Sequence, residues 1–132
     1  MTIKELEDYK YLSSEVEALQ KQIDSLYSAY HSPAFDNIGG FSTNVSNPTE
    51  DAVNRIITLQ NRLQDKRDQM VSEMQRIEKW IDGLDNQEIK SIVRWHYLLN
   101  ASWKQVNRKV YGYANDRQAY RVFRRFMGVD KN

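Results

Sequence analysis

The chain is 132 residues long, 40% hydrophobic and 28% charged, with a mean hydropathy of −0.77 and a net charge of +1. That is enough for one small core with helical extensions, and the absence of cysteine rules out a disulfide framework or a thiolate metal site. No apolar run approaches the roughly 20 residues of a membrane span, and Met1-Thr2-Ile3-Lys4-Glu5 lacks the basic-then-apolar pattern of a secretion signal, so a cytoplasmic protein without membrane partners is expected.

The total charge conceals a strong polarity. Residues 1–85 hold 9 Lys/Arg and 15 Asp/Glu, a net of −6, whereas residues 86–132 hold 10 Lys/Arg and 3 Asp/Glu, a net of +7. A basic end on an acidic body points to a polyanion met by one part of the chain only.

Residues 3–30 read as a helix. Thr2 and Glu5 form a T-x-x-E capping box, and Tyr9, Leu12, Val16, Leu19, Ile23, Leu26 and Tyr30 recur in steps of three and four. This heptad seam requires a partner helix without saying which chain supplies it. Leu12, Val16, Leu19, Ile23 and Leu26 are therefore candidate oligomerisation residues, and a homodimer is expected. A break follows over residues 31–47, containing Ser32-Pro33 and Gly39-Gly40. Asn47-Pro48-Thr49-Glu50 then starts a second helix, expected from Pro48 to Asp82 and ended by Gly83. Its seam is Val53, Ile56, Gln60, Leu63, Arg67, Met70, Met74, Ile77, Ile81 and Leu84, interrupted by Gln60 and Arg67; Met70 and Met74 read as packing residues.

Three short helices are expected next. Asp85-Asn86-Gln87-Glu88 opens one that buries Ile89, Ile92, Val93 and His96 and closes at Asn100. Ser102-Trp103-Lys104-Gln105 opens another, with Trp103, Val106 and Val110 on one stripe and Gly112 as its exit. Asn115 and Gln118 repeat the pattern for a third helix over 116–127, which places Ala119, Val122, Phe123 and Phe126 on one face and Arg117, Gln118, Arg121, Arg124 and Arg125 on the other. Two short helices joined by a glycine-containing turn, the second one basic, form a helix-turn-helix pattern. The expected fold is all-α, with residues 1–84 as a long helical hairpin or coiled-coil stalk and residues 85–132 as a helix-turn-helix module.

Groove-reading helices need an apolar stripe that anchors them and an opposite stripe of bidentate donors. Double-stranded DNA is accordingly the expected partner, with Arg117, Gln118 and Arg121 as candidates for base edges and Arg124, Arg125, Lys104 and Arg108 for phosphates. Tyr120 borders both faces. Catalysis finds little support. His96 shares an apolar stripe, where a satisfied packing histidine is the ordinary case, and His31 lies in the break. No phosphate-cradling glycine loop and no H-E-x-x-H spacing occurs. No enzymatic activity, metal or cofactor is expected.

The run Trp95-His96-Tyr97-Leu98-Leu99-Asn100-Ala101-Ser102-Trp103-Lys104-Gln105-Val106, followed by Tyr111-Gly112-Tyr113 and the basic helix, resembles the sigma-factor region 4-type helix-turn-helix that ends the RinA and ArpU families of phage late-gene transcription regulators. The front half, with its heptad helix, its break and Asn47-Pro48-Thr49-Glu50-Asp51-Ala52-Val53, is similar to related small proteins from phages of Gram-positive bacteria. The resemblance implies transcriptional control of phage genes, with host RNA polymerase as a further partner of a sigma-like module. Asn107 stands where family members tend to have a small residue, and Ala114-Asn115 where they have a Ser/Thr cap, so Arg117, Gln118 and Arg121 carry over only as a group. Two alternatives come from other classes. One is a small terminase-like packaging component; the other is a protein-binding regulator or inhibitor acting through the acidic stalk or the basic helix.

Overall fold

A computed structural model describes residues 1–30, 48–113 and 117–129. Those residues form five α-helices and no strand: α1 (Ile3–Tyr30), α2 (Pro48–Asp82), α3 (Gln87–Val93), α4 (Trp103–Tyr111) and α5 (Gln118–Phe126), with a π-helical segment, Arg94–Leu98, continuing α3. The break expected over 31–47, and Asn115 and Asp116 of the basic segment, lie outside the described residues. Among the described residues no helix is long and apolar enough to cross a membrane.

The chain divides into two compact units, one made of Met1–Tyr11 with Met70–Asn132 and the other of Leu12–Gln69. This corrects the division at residue 84. The reason is the shared core of the first unit. Leu6 and Tyr9 of α1 and Ile77 and Ile81 of α2 are buried together with Ile89, Ile92, Val93, Tyr97, Val106, Ala119 and Phe123. The three short helices, of seven to nine residues, offer only about two turns each and share their core with the long helices. The ends of the long helices complete that core, and Met70 and Met74 pack at its edge, as their seam positions suggested.

In the second unit the segments of α1 and α2 run antiparallel. Leu19 and Ile23 are buried against Leu63, flanked by Val16 and Leu59. Leu59 replaces the expected Gln60, which is exposed along with Val53; a helix of 3.6 residues per turn drifts against a strict heptad. Arg67, also exposed, sends a guanidinium N–H to Gln20 Oε1 at 2.7 Å, and Lys66 reaches Glu15 at 3.6 Å. The residues offered for oligomerisation are thus largely occupied within the chain. Leu12, Leu19 and Ile23 are buried, whereas Val16 and Leu26 are half-buried.

Local signals account for most helix ends. Thr2 Oγ1 accepts from the Glu5 amide at 3.1 Å. Asn86, rather than Asp85, caps α3 by accepting from the Ile89 amide at 3.1 Å. Ser102 and Gln105 close a reciprocal capping box on α4, an arrangement worth about 1 kcal/mol. Gly112, at φ 83°, ends that helix in the left-handed region that its lack of a Cβ permits.

Candidate nucleic-acid interface

The candidate site is built on an aromatic platform. The π-helical segment carries the consecutive residues His96 and Tyr97, both buried in the core. It closes with the Leu99 amide on Arg94 O at 3.0 Å and the Ala101 amide on Trp95 O at 2.9 Å, while Asn100 takes a positive φ of 58°. Asn100 therefore ends the helix as its sequence position implied. The widened turn was not foreseen; five successive apolar or aromatic residues, 95–99, are the signal a strict 3.6-residue period cannot place.

His96 stacks on Trp103 with ring centroids 3.8 Å apart, and Trp103 meets Tyr120 edge-on at 5.4 Å and Phe123 at 5.8 Å. His96 Nδ1 lies 2.8 Å from the Ala101 carbonyl, which can only accept, so Nδ1 carries the proton. Nε2 is then left to accept from the Lys10 ammonium of α1 at 3.2 Å. Burial and the adjacent Lys10 push the imidazole down to about 4, with the Ala101 carbonyl opposing. His96 is a neutral packing residue with both nitrogens satisfied.

Two more contacts tie this platform to the long helices. Tyr97 donates to Glu7 Oε1 at 3.1 Å, and burial together with Glu7 raises its phenol well above the usual range. Arg94 forks onto both oxygens of Glu78 at 2.7 and 3.1 Å. Tyr111 donates to Glu88, linking the end of α4 to the start of α3. Among the described residues no buried side-chain nitrogen or oxygen lacks a partner.

α5 rests on the platform through Ala119 and Phe123, both buried, with Val122 half-buried. Phe126 departs from the expected stripe, being 42% exposed; Met127, one position on, packs against the core in its place. The candidate donors divide into groups. Arg121 and Arg125, one turn apart on α5, are exposed, as are Lys104 and Arg108, one turn apart on α4. Ion pairs of the described residues engage Lys4, Lys21, Lys66, Arg76 and Arg94, and none engages these four.

The remaining candidates are partly committed. Arg124 lies over the Tyr120 ring at 5.2 Å, so Tyr120, 39% exposed, serves as a shelf for a guanidinium as well as a lid on Trp103. Arg117 is exposed but has a partner within the chain. Gln118 accepts a hydrogen bond from the Tyr113 hydroxyl through Oε1, which occupies the acceptor that a bidentate contact to adenine would use. Arg121 therefore has a stronger claim to a base edge than Gln118, since a guanidinium presents a planar fork of donors matched to guanine O6 and N7 or to a phosphate.

A residue outside the sequence-derived candidates completes the geometry. Asn107 is fully buried in the middle of the α4 stripe, donating to Trp103 O at 3.0 Å and accepting from the Ala119 amide of α5 at 2.8 Å. A lone amide inside the stripe Trp103, Val106 and Val110 was the available clue, because a buried polar side chain must find partners.

Among the described residues no cluster of His, Cys, Asp or Glu could hold a metal ion. No curated protein and no solved structure matches the chain. A family pattern described as "Protein of unknown function (DUF722)" matches residues 2–129, nearly the whole length, and the chain belongs to that family.

Proposed function

We propose that this protein is a sequence-specific, non-enzymatic DNA-binding regulator of transcription, of phage origin and acting in the cytoplasm of the bacterial host, which presents α5 to the major groove. The observation that carries the reading is the state of its cations. Arg121, Arg125, Lys104 and Arg108 are exposed and enter no ion pair among the described residues, while Arg76 and Arg94 are held by carboxylates of the same unit. Exposed guanidiniums on a helix anchored by Ala119 and Phe123 suit a phosphate backbone and base edges. The likeness to RinA and ArpU regulators supports the same role, and contact with RNA polymerase accompanies it in a sigma-like module.

Selection of bound duplexes from a random pool tests the reading directly. An enriched site is expected, together with an affinity that falls with salt. Neutralising about four phosphates per subunit gives a slope of log affinity against log salt of about −3.6. No enriched site, or a flat salt response, refutes the proposal. A ring-shaped oligomer in solution would favour the packaging alternative instead.

A further inference from the structure

Helix α5 draws on the neighbouring helix α4 at its start. Arg117 stands at the N-cap position and its side chain makes no capping bond. The amide that an N-cap side chain ordinarily satisfies is that of the second or third helical residue. Here that amide, from Ala119, is buried and bonds to Asn107 Oδ1 of α4 at 2.8 Å. The orientation of the Asn107 amide group is unambiguous, because the Ala119 N–H can only donate and the Trp103 carbonyl, 3.0 Å from Nδ2, can only accept. Asn107 is fully enclosed, so both bonds are made away from solvent.

We infer that Asn107 is a positioning residue for DNA recognition: by capping α5 from the neighbouring helix it sets the direction in which the first turn of α5, and with it Arg121, projects. This inference rests on the DNA-binding reading. Arg121 lies two residues beyond the capped amide, whereas Arg125 lies a further turn along, past the Phe123 anchor. Loosening the cap therefore displaces Arg121 more than Arg125. Base contacts tolerate little displacement; phosphate contacts, made by flexible cations to a continuous anionic track, tolerate more.

The test compares the full-length wild type with Asn107→Ala and Asn107→Asp, well below their melting temperatures, on a selected duplex and on a random one. Asn107→Ala removes both bonds, whereas Asn107→Asp keeps an acceptor for the Ala119 amide. Asn107→Ala is expected to reduce the preference for the selected duplex by about tenfold while changing random-duplex affinity by less than about threefold. Asn107→Asp is expected to recover most of the lost preference. Hydrogen exchange of the Ala119 amide in the free protein should be slow in wild type and Asn107→Asp and fast in Asn107→Ala. A folded Asn107→Ala variant that keeps its preference overturns the inference. So does an equal loss on both duplexes that simply follows the melting temperature. If Asn107→Ala does not fold, a folded Asn107→Asp variant with a slow Ala119 amide and near-wild-type preference supports the role, and one with a fast amide or no preference overturns it. A wild type that binds no duplex at low salt, with its Ala119 amide still protected, removes the DNA-binding reading and the recognition role while leaving the cap itself in place.

Discussion

His96 makes the stability of the first unit depend on pH in a calculable direction. The imidazole is buried against Trp103, donates to the Ala101 carbonyl and accepts from Lys10, so the folded state holds it neutral down to about 4. In the unfolded chain it protonates near 6.5. Between those values the unfolded state binds more protons, so stability is complete above the unfolded value and declines as pH falls toward the folded one. Lowering the pH from about 7.5 to about 5 costs about 2 kcal/mol on this arithmetic. Residual solvation beside the partly exposed Lys10 reduces it to about 1–2 kcal/mol. The chain holds a second histidine, His31, and 18 carboxylate side chains, so the quantity to measure is a difference. Urea unfolding of wild type and of His96→Phe at both pH values isolates it, since the variant retains a ring on Trp103 and loses the titration, while its lost bonds to Ala101 and Lys10 lower its stability alike at both pH values. Wild type should lose 1–2 kcal/mol more than the variant, a figure of about that size being required by the linkage relation. Equal losses, or an imidazole titrating near 6.5 in the folded protein, would refute the assignment of His96 as a buried neutral base.

Two further predictions concern the core and the charged face. Leu6→Ala should destabilise the three short helices by about 2–5 kcal/mol, although Leu6 lies far from them in sequence, because its side chain is wholly enclosed in their core. Thermal unfolding followed through tryptophan fluorescence reads this, and an unchanged melting temperature would contradict the shared core. Arg121→Ala should cost about 1–3 kcal/mol on the selected duplex and relax its sequence preference, whereas Arg125→Ala should weaken all duplexes about equally and flatten the salt slope by about 1. Identical profiles for the two variants in a fluorescence anisotropy titration would dissolve the distinction between them.

Much of the fold was legible from short-range chemistry. The bounds of α1 and α2 follow from Thr2, from Pro48 and from Gly83, because caps and breakers act through neighbouring backbone groups. The α4 capping box and its glycine exit were legible for the same reason. The burial of His96 followed from its stripe, and the exposure of Arg121 and Arg125 from theirs. Phe126 shows the limit: its helical angle places it on the packed face, but the core ends before it and Met127 takes up the space.

What the sequence by itself determined is where helices start, which faces are apolar and where positive charge gathers, all properties set within about one helical turn. Tertiary structure alone decided that Leu6, Tyr9, Ile77 and Ile81 belong to the core of the short helices, that Lys10 satisfies His96, and that Asn107 caps α5. Each of these joins residues remote in sequence, and a periodic pattern records that a face must be covered without recording by what. The heptad of α1 is the clearest instance: Leu19 and Ile23 called for a partner helix, and only packing could supply Leu63 of the same chain.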